Sequence, residues 1–242
     1  MLRKILPSWL KREIRLVQRA IADRPLKRSN NFATKNAKII LKNEYLIAKI
    51  EQPIHPNPLA ENKIFNIQLA TQEIQQVIIQ PNEVFSFWRI VGKPTKKKGY
   101  KIGRNIINKE LQADIGGGLC QVSGMIYHLA LTCGMKIEER FNHTVDLYEE
   151  DNRYTPLGMD ATVVFGHKDL RFRNTKKVPV LLRFRVNSEK FIGYLYAGEE
   201  FKTDELNLVR EEFENYRIIK TYRVEENKEE FINLSHYLKM KK

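Results

Sequence analysis

Gly116-Gly117-Gly118-Leu119-Cys120-Gln121, running on through Ser123 and Tyr127 to Cys133 and Gly134, is the stretch on which the fold turns. Three consecutive glycines let backbone approach its neighbours closely and adopt φ values that other residues avoid. The apolar run behind them predicts a helix from about Leu119 to Cys133, closed by Gly134. Downstream, Lys136 to Arg140, Ala161 to Phe165, Leu170 to Arg173, Val178 to Val186 and Phe191 to Tyr196 read as strands. The short polar stretches Gly166-His167-Lys168 and Asn187-Ser188-Glu189 suit antiparallel hairpins. The expected class is α+β: helices packed on a mostly antiparallel sheet, with a central helix entered through the triple-glycine turn.

Upstream of the glycines, the three prolines between Gln52 and Pro58 mark a loop. Ile64, Ile67, Leu69 and Ile74 then place a helix over about Glu61 to Gln76. Pro81-Asn82 turns the chain into Val84-Phe85-Ser86-Phe87-Trp88, read as an aromatic-rich strand whose rings belong to the core. Lys93 to Gly99 is an exposed loop by composition. Beyond Glu199 charge becomes dense, with a helix expected from Asp204 to Tyr216 and a strand from Arg217 to Val224. The chain thus divides into a basic extension and linker (1–44), a core domain (45–200) and a charged extension (201–242), without internal repeats.

At 242 residues, 42% apolar and 29% charged, the chain can bury a full core and is neither disordered nor membrane-spanning by composition. No stretch approaches the roughly 18 apolar residues of a bilayer crossing, and the apolar segment of a secretory signal is missing, so a cytoplasmic protein is expected. The net charge of +13 invites a nucleic-acid reading. Over residues 1–30, however, nine Lys and Arg face only Glu13 and Asp23, and the rest of the chain carries no recognisable nucleic-acid module, which makes that the minor reading.

Within that basic segment, Ser8 is placed to cap a helix with Leu10, Ile14, Val17 and Ile21 at helical spacing and Lys11, Arg12, Arg15 and Arg19 on its other faces. Two readings stay open. In one, the stripe packs on the domain; in the other, residues 8–22 attach to an anionic membrane surface, peripheral to the inner membrane face, or to an acidic partner. Arg24 to Asn36 reads as a linker.

The chemistry centres on Cys120. At a helix start, free N–H groups and the positive end of the dipole favour thiolate over thiol, and the same donors suit a developing oxyanion. A cysteine nucleophile needs a base, and His143 follows at the end of a strand. Asp160 stands where it could orient that histidine, with Asp146 as the local competitor. Papain-like and transglutaminase-like enzymes use this order, an analogy that points to thiol acyl transfer or amide hydrolysis. Against it stands the tendency of lone cysteines to be inert core residues, the reading given to Cys133. Gln121 is a second candidate oxyanion donor or a turn cap, and Ser123 and Tyr127 share the Cys120 face, Tyr127 more as packing. His55, His128, His167 and His236 read as background. Neither histidines nor cysteines show zinc-ligand spacing, so no metal and no cofactor is expected. Two cysteines thirteen residues apart on one helix, about 20 Å, are not expected to bridge.

Asn62-Lys63-Ile64-Phe65-Asn66, Phe85-Ser86-Phe87-Trp88, Gly116 to Gln121, Glu139-Arg140 with His143, Asp160-Ala161-Thr162-Val163 and Asp169-Leu170-Arg171 together resemble the VanW family, in the same order, over roughly residues 45–200. The family takes its name from an accessory protein of the vancomycin B-type resistance cluster, and related domains accompany peptidoglycan-binding modules. The resemblance implies a role in glycopeptide resistance or cell-wall metabolism, with a peptide or cell-wall precursor as ligand. Gly116, Gly117, Gly118, Gln121, Ser123 and Arg140 are the candidate binding residues beside the candidate catalytic set Cys120, His143 and Asp160. In the alternative, the glycines cradle a muropeptide or a membrane-associated partner and Cys120 merely packs. Phe141 departs from the family, which often has histidine there; that places the base at His143.

Overall fold

A computed structural model describes residues 7–23, 31–35, 41, 43–107, 110–146, 153–225 and 228–239. Residues 24–30 and 36 of the expected linker, and the side chain of the expected cap Ser8, lie outside that set. Helix α1 (Ser8–Asp23) precedes strand β1 (Tyr45–Pro53), helix α2 (Ala60–Ile74), strands β2 (Ile78–Ile79) and β3 (Val84–Ser86) and the short helix α3 (Phe87–Val91). The hairpin β4 (Ile102–Ile107) and β5 (Glu110–Ile115) leads into α4 (Leu119–Thr132). Strands β6 (Lys136–Glu139), β7 (Val145–Asp146), β8 (Arg171–Arg173), β9 (Val180–Val186), β10 (Lys190–Ala197), β11 (Glu205–Glu212), β12 (Tyr216–Glu225) and β13 (Lys228–Lys239) follow.

The fold is α+β; among the described residues the named strands pair antiparallel except where β13 runs parallel to β7, and an isolated bridge from Phe32 to Val84 is also parallel. Helix α4 is central because it is apolar almost all round, with Val122, Met125, Ile126, Leu129 and Leu131 fully buried. Each such side chain contributes roughly 2 kcal/mol by leaving water. The helix rests against α2 and against the sheet ordered β1-β10-β9-β2. Strand β10 shows why one face of that sheet is the core: Phe191, Gly193, Leu195 and Ala197 are buried in strict alternation.

Three expectations are corrected. Phe87 and Trp88 do not continue the aromatic strand; they open α3, because the Asp169 carboxylate takes the Ser86 hydroxyl (2.6 Å) and the Trp88 N–H (3.1 Å) and so caps that turn from across the chain. Ala161 to Phe165 joins no sheet beyond an isolated bridge from Val164 to Lys168. Its backbone groups go elsewhere, the Ala161 carbonyl to Ser123 Oγ (2.6 Å) on α4 and the Thr162 N–H to the Phe141 carbonyl (2.7 Å). Asp204 to Tyr216 is not helical: Leu206 and Leu208 alternate with exposed neighbours in β11 and pack toward the core. Strand β1 and the β4–β5 hairpin were not anticipated.

Helix α1 docks with the face opposite its apolar stripe. Arg19 donates to the His167 carbonyl (2.9 Å) and pairs with Glu139 (2.5 Å), and Asp23 pairs with Arg171 (2.9 Å). Ile14, Val17 and Ile21 face solvent, which overturns the reading in which the stripe packs on the domain. Among the described residues no helix is long and apolar enough to cross a membrane.

Candidate active site

The bend that presents Cys120 is held by contacts only glycine allows. Gly116 and Gly118 have φ of +87° and +106°, and a Cβ on Gly117 would lie 2.3 Å from the backbone of Gly103 on β4. Asn66 of α2, fully buried, fastens the crossing by donating from its amide to the Gly117 carbonyl (2.9 Å) and the Lys101 carbonyl (3.0 Å) while accepting from the Lys101 N–H (2.8 Å). The next N–H groups turn inward, Gln121 and Val122 both donating to the Gly118 carbonyl. Among the described residues the Cys120 N–H has no acceptor, as expected of the first helical turn.

The Cys120 sulfur, half-buried, lies 3.5 Å from the Thr162 hydroxyl and 3.9 Å from the Val163 carbonyl. His143 lines the same cleft as the sulfur and is the neighbour that acts most strongly on its ionisation. The Asp160 carboxylate accepts twice from His143, from the backbone N–H (2.7 Å) and from Nδ1 (2.6 Å), so Nε2 is the ring nitrogen that Asp160 does not engage. Asp160 is itself gripped by Arg140, whose Nη2 reaches Oδ1 (3.0 Å) and whose Nε reaches the Asp160 carbonyl (2.8 Å). The Tyr237 hydroxyl donates to Asp160 Oδ1 and accepts from the Gly158 N–H (3.0 Å).

Burial alone would neutralise each of these groups, and their neighbours reverse it. For Asp160, burial works upward, yet His143, Arg140 and Tyr237 hold the carboxyl well below the usual range. For His143, burial works downward, but the bonds to Asp160 and Cys120 push the imidazole up to about 10. Burial likewise opposes ionisation of Cys120, and the hydrogen bond and charge of His143, with help from Thr162, lower the thiol below its ordinary value. The pair therefore favours thiolate and imidazolium.

The other sequence candidates are placed as supports. The Gln121 amide donates to the Pro53 carbonyl on β1 (3.2 Å), and Ser123 bonds the carbonyls of Cys120 (3.2 Å) and Ala161 (2.6 Å). Arg140 faces inward, spanning Asp160, Gly158, Ser235 and the Tyr127 ring (4.7 Å). Tyr127 is buried, accepting from Asn233 (2.5 Å). Asp146 pairs with Arg153 and Arg217 instead of competing for His143. Burial lowers His128 to about 4 and pushes Cys133 up to about 12. Phe141 is exposed, its ring 5.5 Å from the Lys168 ammonium. Among the described residues no group of His, Cys, Asp and Glu is placed to hold a metal ion.

A cleft of about 400 Å³ opens on the sulfur, lined by Cys120, His143, Thr162, Trp88, Lys93 and, from α1, Arg12. Tyr237, Ser235 and Gly103 were missed. Tyr237 sits 77 residues from its partner in an unremarkable alternating strand, so no local signal marks it. Gly103 has its reason only in the chain that crosses it.

Fold and site define an α+β protein with a cysteine, histidine and aspartate assembled at the start of its central helix. The chain belongs to the VanW family: the family described as VanW like protein matches residues 62–196. It is 36% identical over 143 residues to the uncharacterized protein YoaR of Bacillus subtilis (strain 168), covering 59% of this chain and 46% of that protein. It is 35% identical over 140 residues to the vancomycin B-type resistance protein VanW of Enterococcus faecalis (strain ATCC 700802 / V583), covering 58% of this chain and 51% of the other. The chain spans about half the length of the curated relatives it matches. No solved structure matches it.

Proposed function

We propose that the site carries out thiol-dependent acyl chemistry on an amide of a peptide of cell-wall-precursor type, in the service of glycopeptide resistance or peptidoglycan metabolism. The observation that supports it is the chain of contacts from Arg140 and Tyr237 through Asp160 to His143, in the cleft that opens on the Cys120 sulfur. The thiolate attacks the carbonyl carbon and a C–S bond forms, while the charge moved to oxygen is received by the unpaired Cys120 N–H. The imidazolium gives its Nε2 proton to the departing nitrogen, the C–N bond breaks, and a thioester remains. Neutral His143 then takes a proton from water or from an acceptor amine, whose attack releases Cys120. The resistance role rests on the name of the Enterococcus relative, and a cytoplasmic setting suits two free cysteines.

Alkylation by iodoacetamide against pH is the test, with Cys133 as the internal control. Cys120 should react at neutral pH at a rate already near its alkaline limit, while Cys133 stays unmodified in the folded chain. In His143→Ala the rate at pH 6 should drop at least about tenfold, as the thiol returns to free behaviour. A Cys120 that titrates like a free thiol in the parent chain would remove the support for acyl chemistry and favour a module that only binds muropeptide.

A further inference from the structure

We propose that α1 lies on an anionic bilayer surface, with Ile14, Val17 and Ile21 among the acyl chains and the basic residues beside them at the headgroups. The orientation of the helix carries the inference. An amphipathic helix normally buries its apolar stripe, and this one is fixed to the protein by the other side. Arg19 and Asp23 reach Glu139, His167 and Arg171, and the stems of Arg12 and Leu16 lie so close over Gly166 that a methyl there would come within 2.9 Å of Arg12 Cγ. The stripe is left at 39% exposure for Ile14, 58% for Val17 and 56% for Ile21.

Charge selects the occupant. Lys11 borders the stripe and Arg15 lies between Lys11 and the docked face, both without an ion pair among the described residues. The first 30 residues hold nine Lys and Arg against two acids. A second copy packed stripe to stripe would bring these like charges together, whereas anionic headgroups complement them. At 16 residues α1 is too short and too charged to span a bilayer and suits its interface. Because Arg12 lines the same cleft as Cys120, a docked α1 would hold the mouth of that cleft beside the headgroups. Nothing in this depends on the reactivity of the sulfur.

Co-sedimentation of the full chain with vesicles tests it, comparing equal parts phosphatidylglycerol and phosphatidylcholine with phosphatidylcholine alone. Binding should be at least about tenfold stronger to the anionic vesicles and should weaken as salt is raised. Ile14→Glu/Val17→Glu/Ile21→Glu should lose binding at least about tenfold, since the apolar anchor is gone. Its melting temperature should stay at the parent value, because those three side chains face solvent. Lys11→Glu/Arg15→Glu should lose the preference for anionic lipid, and Cys120→Ser should bind like the parent. Failure of the parent chain to bind anionic vesicles, or full binding by the triple variant, would overturn the proposal. A concentration-dependent dimer in sedimentation equilibrium, abolished by the triple variant, would assign the stripe to a second copy and overturn it equally.

Discussion

The two ends of α4 carry the same residue and give it opposite chemistry. At the amino end, Cys120 shares a cleft with an imidazole and a hydroxyl, its own N–H has no acceptor among the described residues, and its thiol is lowered. At the carboxyl end, Cys133 is wholly buried, and burial raises its thiol to about 12, with Lys176 and Asp204 acting in opposite senses beside it. Helix polarity works in the same sense at both ends, favouring anions at the start and opposing them at the close. The difference also reflects what surrounds each thiol: a polar relay that stabilises the anion at one end, and burial whose nearby Lys176 and Asp204 oppose each other at the other.

The contrast breaks first if the relay loses its cation. Arg140→Met leaves Asp160 buried with one partner fewer, and a loss of about 3 kcal/mol or more is expected in urea unfolding at neutral pH. Iodoacetamide should then also show Cys120 moved toward Cys133 in reactivity.

A smaller effect is expected from pH. Unfolded, His143 loses its proton near about 6.5 and Cys120 near about 8.5. Folded, the imidazole holds its proton up to about 10, while the thiol is lowered. The histidine's contribution is therefore whole below about 6.5 and lost as pH rises through about 10; the thiol's is whole above about 8.5 and lost as pH falls. Across the neutral range the two trends oppose each other, the histidine's contribution falling with pH while the thiol's rises. Stability should therefore change less steeply there than above about pH 8.5, where it falls by about 1.4 kcal/mol per unit. In Cys120→Ser the opposing contribution is gone, so stability should decline from about pH 6.5 upward; urea midpoints from pH 5 to pH 10 would read both curves.

Smallest is Cys133→Ala, which removes one buried sulfur and should cost about 1 kcal/mol, with the alkylation profile of Cys120 unchanged. A change in that profile would mean that the two ends are coupled and the contrast is false.

What could be read from the sequence was what is local. Helix α4 and the β9–β10 hairpin announce themselves by periodicity and polar turns, and Cys120, His143 and Asp160 stand out as residue types in a suggestive order. Strand β11 went unread because Leu206 and Leu208 alternate within a charged stretch, where periods of two and of 3.6 fit equally few apolar positions. Phe87 and Trp88 were taken for strand because the carboxylate that starts their helix belongs to Asp169, 81 residues onward from Trp88. Tyr237 and Ser235 lie beyond the matched span of 62–196, in a sheet reached through β7, so neither motif nor resemblance could name them.

The meeting of Gly103 with Gly117 has one more consequence. Where two backbones touch with no side chain between them, there is no soft layer to absorb a shift, so the β4–β5 hairpin acts as a stop against which the sulfur's position is registered. A ligand that pressed on the hairpin's base, at Asp114 or Ile115 on the cleft wall, would push directly on the bend that carries the thiol.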